Sequence, residues 1–170
     1  MQPILASSCA RATTAEEASY RIDAPIAPRQ GVRVMALDDR AAATVRRAAQ
    51  EPWNAARFFT LPAGGVAATA ESNGVSDIVL RRTDGTASQL RDELAEGDVV
   101  VMVATTDGNA AAAAAIGRAC ARRGIMTAGI VLGKRSAVGA TVTALRPHAQ
   151  VLLVTQDDQD LSEVLGALRA

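Results

Sequence analysis

The sequence predicts a three-layer α/β/α fold around a mostly parallel sheet, Rossmann-like or flavodoxin-like in kind. Three observations carry it. The runs Val32–Leu37, Asp98–Ala104 and Ile125–Leu132 are almost wholly apolar, as strands buried on both faces must be. Stretches of helix composition alternate with them, the order of βαβ units. Ala110–Arg123 is alanine-rich, and small side chains let a helix lie close against a sheet.

The elements follow in order. Residues 1–30 carry Pro3, Pro25 and Pro28 and no sustained period, and are expected to form a loosely ordered arm ahead of a single α/β domain over 31–170. Val32–Leu37 is the first strand. Asp38-Asp39 precede a helix over Ala41–Gln50, and Pro52 ends it. Arg57–Leu61 is the second strand, and Pro62-Ala63-Gly64-Gly65 opens a flexible stretch to about Gly74. Asp77–Arg81 is a third strand, at an edge. Thr86–Ala95 is a helix with Leu90 and Leu94 one turn apart, stopped by Gly97. Asp98–Ala104 is a buried strand, and Ala110–Arg123 a helix ended by Gly124. Ile125–Leu132 is a strand, Ala137–Arg146 a helix broken by Pro147, and Val151–Thr155 the last strand. Asp157-Asp158 open a final helix with Leu161, Val164, Leu165 and Leu168 on one face.

Composition narrows the function. Eighteen Lys and Arg balance eighteen Asp and Glu, which argues against a general nucleic-acid binder. Aromatic residues are 2%, too few for base-stacking platforms. No apolar run reaches the ~18 residues of a membrane span. One His and two Cys speak against the usual zinc sites. Cys9 and Cys120 are far apart, and Cys120 falls on an apolar helix, so a reducing, cytoplasmic setting is expected. Met1–Ala10 lacks the charged start and apolar stretch of a secretory leader.

Ligands of such folds bind outside the carboxyl ends of the strands. The polar clusters there are Asp38-Asp39-Arg40, Leu61–Gly65, Thr105–Asn109, Gly133–Arg135 and Gln156–Asp158. In the loop Thr105, Thr106, Asp107, Gly108 and Asn109, hydroxyls and the following helix start either offer donors to an anion or simply cap that helix. Lys134 and Arg135 add positive charge. Asp38, Asp39, Asp107, Asp157 and Asp158 form an acidic set that either helps to hold Mg²⁺ or caps the helices that they precede. No G-x-G-x-x-G occurs, and Gly129–Arg135 falls short of a P-loop. His148, after Pro147, is expected at the surface and completes no triad.

Residues 98–165 resemble the GTPase domain of the bacterial tubulin homologue FtsZ. Asp98–Ala104 matches the strand before its phosphate loop, and Ile116–Val131 the following helix and strand. Gly133-Lys134-Arg135 and Leu145–Leu161 match the next loop and strand. The glycine-rich loop of that family is replaced by Thr105–Ala110, with one glycine. The resemblance implies binding of a phosphate-bearing nucleotide, GTP or another with Mg²⁺, with little or no hydrolysis. Gly97–Asn109 is also similar to the strand and phosphosugar loop of sugar-isomerase (SIS) domains, which implies a phosphosugar. Isomerisation would need a base, nominally Glu71 or Glu93. Val32–Asp39 looks like the acidic first strand of response-regulator receiver domains. The rival expectation is a non-catalytic module that forms a homo-oligomer or binds a partner.

Overall fold

A computed structural model describes residues 31–62, 78–134 and 137–170. The expected arm over 1–30 and the glycine stretch after Pro62 lie outside the described residues, as do Glu71 and Arg135. Strands β1 (Val32–Ala36), β2 (Arg57–Thr60), β3 (Val79–Arg82), β4 (Ala87–Gln89), β5 (Val99–Ala104), β6 (Met126–Leu132) and β7 (Val151–Thr155) form one sheet in the order β4-β3-β2-β1-β5-β6-β7. The helices are α1 (Asp39–Ala48), α2 (Leu90–Ala95), α3 (Ala110–Arg123), α4 (Gly139–Leu145) and α5 (Gln159–Leu168).

Strands β2, β1, β5, β6 and β7 run parallel. Every residue of β1 and β5 is buried, which is why β5 is a continuous apolar run and β1 is apolar but for Arg33. Their side chains alternate between two cores. Val32, Val34, Ala36, Val99, Val101 and Val103 pack with α1 and α5 on one face. Met35, Val100 and Met102 pack with α2, α3 and α4 on the other. The result is the expected three-layer α/β architecture.

Counting parallel strands alone, the order is 2-1-3-4-5, the flavodoxin-like version of a doubly wound sheet. The chain leaves β1 toward β2 over one face and returns past β1 to β5 over the other. The crevice between the carboxyl ends of β1 and β5 is therefore the switch point.

The edge beyond β2 departs from the sequence reading. The third strand is not the edge, and the stretch expected to begin a helix at Thr86 instead forms β4, antiparallel to β3. The cause is the Asp84-Gly85 turn. Gly85 takes φ +90°, and Asp84 Oδ1 accepts from Thr86 N at 2.8 Å, so the chain reverses before helix can start. α2 is the short remainder, with Leu90 and Leu94 buried as expected.

Other boundaries move by a residue or two. α1 starts at Asp39, capped by Asp38, and ends at Ala48, whose carbonyl accepts from the Trp53 indole at 2.7 Å. α3 ends at Gly124, as expected. His148 corrects the expectation of a surface residue: it is half-buried and lies on Gly117 of α3, where a Cβ would stand 2.6 Å from the ring.

The amino ends of the strands hold a buried ion-pair network. Arg33, 1% exposed, donates from Nε to Glu93 Oε2 at 2.9 Å. Arg57 Nη1 reaches the same oxygen at 3.3 Å and Glu96 Oε2 at 3.0 Å, while Ser88 Oγ donates to Glu93 Oε1 at 2.8 Å. Burial, then the neighbouring charge of Arg57, pushes the Arg33 guanidinium below its ordinary pKa, with Glu93 and Glu96 opposing. Glu93 is thus a structural anion remote from the carboxyl ends, which removes it as the base of an isomerase there.

Candidate functional site

Asp38 is the hinge of the switch point. It follows β1, and its carboxylate serves two elements at once. Oδ1 accepts from Ala41 N at 2.9 Å, capping α1, and from Thr105 Oγ1 at 2.6 Å. Oδ2 accepts from Thr105 N at 2.6 Å and Thr106 N at 3.1 Å. A carboxylate has about four lone-pair positions, and all are filled. Burial favours the protonated acid. The hydroxyl and backbone N–H of Thr105, with Ala41 N and Thr106 N, nonetheless hold Asp38 below its usual pKa.

The sequence left the Thr105–Asn109 loop between an outside anion and an ordinary helix cap. In the fold, Asp38 supplies the anion from within. The rest of the loop is also engaged. Asn109 Nδ2 donates to the Leu37 carbonyl, and Thr106 Oγ1 accepts from Gly108 N at 3.4 Å. Asp107 accepts from Thr141 N at 2.8 Å, and Thr141 Oγ1 donates to the Thr106 carbonyl at 2.9 Å. The bond from Thr141 N is the leading reason that Asp107 sits below its ordinary pKa. Asp107 therefore caps α4 and not the helix that it precedes. Asp157 does serve its own helix, accepting from Gln159 N at 2.9 Å, whereas Asp158 makes no cap and pairs with Arg47. Asp39 is exposed in the first turn of α1.

Beside this tied loop opens a groove of about 760 Å³. α1 forms one wall, with Arg40, Ala43, Thr44 and Arg47. The ends of β5, β6 and β7 form the other, with Thr105, Leu132, Gly133, Lys134, Gln156 and Asp158. The side chains of Arg40 and Lys134 are exposed and have no hydrogen-bond or ion-pair partner among the described residues. Arg47 binds Asp158 across the groove and reaches Thr44 Oγ1 at 3.3 Å. Three cations thus face a single carboxylate.

Of the residues predicted for the site, Thr105 and Lys134 line the groove, and Asp38 lies behind Thr105. Thr106, Asp107, Gly108, Asn109 and Asp39 do not line it. The sequence reading passed over Thr44 and Arg47. Their signal was present: Arg40, Ala43, Thr44 and Arg47 stand at i, i+3, i+4 and i+7, one polar-edged stripe of a helix.

The described residues bring together no group of three His, Cys, Asp or Glu side chains able to hold a metal ion. The carboxylates nearest the groove are already committed, Asp38 to four donors and Asp158 to Arg47, so neither is free to share Mg²⁺ with a nucleotide. Among the described residues no helix is long and apolar enough to cross a membrane. No family model matches the chain, and no curated protein matches it.

Proposed function

We propose that the protein binds a small phosphate-bearing ligand in this groove, as a divergent Rossmann-like domain with little or no hydrolysis. The observation that carries the reading is the excess of cations over carboxylates in a concave site at the carboxyl ends of parallel strands. The groove's volume falls within the roughly 300–1,000 Å³ of small-molecule sites. Arg40 and Lys134 are the phosphate-binding groups, and Gln156 and the Thr105 hydroxyl oxygen are placed to meet ligand hydroxyls. Little or no turnover is expected, because no lining carboxylate stands free to act as a base. The likenesses of residues 98–165 to FtsZ and of Gly97–Asn109 to SIS domains favour a nucleotide or a phosphosugar as the ligand.

A thermal-shift panel of nucleotides, sugar phosphates and inorganic phosphate tests this. Ligand at a hundred times Kd stabilises by about 2.7 kcal/mol. The expected result is a rise in Tm with at least one phosphate compound, clearly reduced in Lys134→Ala and Arg40→Ala. An unchanged Tm across the panel overturns the reading in favour of a partner-binding module.

A further inference from the structure

We infer that the ligand of this groove is a metal-free phosphomonoester, a mononucleotide or sugar phosphate, and not a Mg²⁺-bound nucleoside triphosphate. The inference rests on the groove reading above and narrows it by charge and by donor chemistry.

Charge comes first. Arg40, Arg47 and Lys134 set against Asp158 leave two positive charges in excess. A phosphomonoester carries roughly −1.5 to −2 at pH 7, which those charges neutralise. A triphosphate carries more, and sites that accept one usually let Mg²⁺ share the load, held by one or two carboxylates and the phosphates.

The carboxylates for that arrangement are not available. Moving Asp38 onto a cation would strip two hydrogen bonds from whichever oxygen it offered: those of Ala41 and Thr105 Oγ1, or those of Thr105 N and Thr106 N. It would uncap α1 or release the loop after β5. Asp107 holds the start of α4, outside the groove.

Direct contact by guanidinium and ammonium groups is the alternative, and it is what the groove offers. Arg40 and Lys134 stand partner-free among the described residues. Arg47 stays with Asp158 and Thr44 Oγ1, which keeps that carboxylate occupied and leaves Arg40 and Lys134 as the two charges in excess. Arginine then grips two phosphate oxygens through its planar fork, and lysine adds a point charge.

Isothermal titration of the full chain with AMP, glucose 6-phosphate and GTP decides the matter, each run in chelator and again in Mg²⁺. The expected result is that AMP or glucose 6-phosphate binds with the same Kd in both buffers, and which of the two binds identifies the source. Lys134→Ala and Arg40→Ala each weaken binding about tenfold or more, the factor of one charge-assisted hydrogen bond. Arg118→Ala, exposed on α3 across the sheet, leaves it unchanged. GTP binding that requires Mg²⁺ and is lost in Lys134→Ala overturns this inference while the groove reading stands. No binding by any of the three overturns both.

Discussion

The two ends of β1 handle charge in opposite ways. Toward the amino end, Arg33 is buried and its guanidinium is satisfied by Glu93 and Glu96, with Arg57 and Ser88 completing the set. Past the carboxyl end, Arg40 and Lys134 are exposed and unpaired among the described residues. A buried cation ion-paired with carboxylates is part of the fold. A partner-free cation lining a concave site contributes little to folding and remains available to a ligand. The difference separates charge that the fold uses from charge that it leaves exposed.

The largest effect that would break this comparison lies at the amino end. Arg33→Ala leaves buried Glu93 with the Ser88 hydroxyl and, as its one remaining cation among the described residues, a half-exposed Arg57, and is expected to cost about 3–5 kcal/mol in urea unfolding. A loss below 1 kcal/mol would mean that the network is not structural.

Gly31 tests the same end through the backbone. Its φ is +80°, and an added Cβ would meet the Glu96 carbonyl oxygen. Gly31→Ala should cost about 2 kcal/mol or more, since conformational strain and backbone collision add. A near-neutral effect would show that the turn before β1 can shift freely.

Asp38 stands between the two ends in character, because it is structural yet adjoins the groove. Asp38→Ala removes the α1 cap and three bonds to the next loop, an expected loss of about 1–3 kcal/mol. The pH dependence sharpens the test. With its folded-state pKa depressed, Asp38 contributes fully above the unfolded value near ~4. That contribution is lost as pH falls through the folded-state pKa. Acid unfolding of Asp38→Asn should accordingly be shallower than that of the parent over this window.

The smallest effect belongs to the carboxyl end. Arg40→Ala and Lys134→Ala should change stability by no more than about 0.5 kcal/mol. Their unfolding midpoints should match that of the parent. A large loss in either would move these cations into the structural class and weaken the case for the groove.

Much of this was legible in the sequence, and the rest was not for a common reason. Apolar runs such as Val99–Val103 declare a buried parallel strand by local composition, and the loops after such strands name the crest. Partners far along the chain leave no local trace. Glu93 is sixty residues from Arg33, and Thr105 sixty-seven from Asp38. Nothing near Thr105 announces that an aspartate will take its donors. The β3–β4 hairpin is a different case: its Asp-Gly signal was in plain view, but the Leu90 and Leu94 spacing drew the predicted helix back over it. Likewise the Arg40–Arg47 stripe was readable, once the helix was seen to border the crest.

Cys120 gives this molecule a built-in gauge. It is fully buried in α3, and burial pushes its thiol up to about 11, so the reactive thiolate is scarce while the helix stays docked. Alkylation at that position, followed by peptide mapping to separate it from Cys9, would report how often α3 lifts from the sheet. Ligand-induced tightening would appear as slower labelling far from the groove, read at a thiol native to the chain.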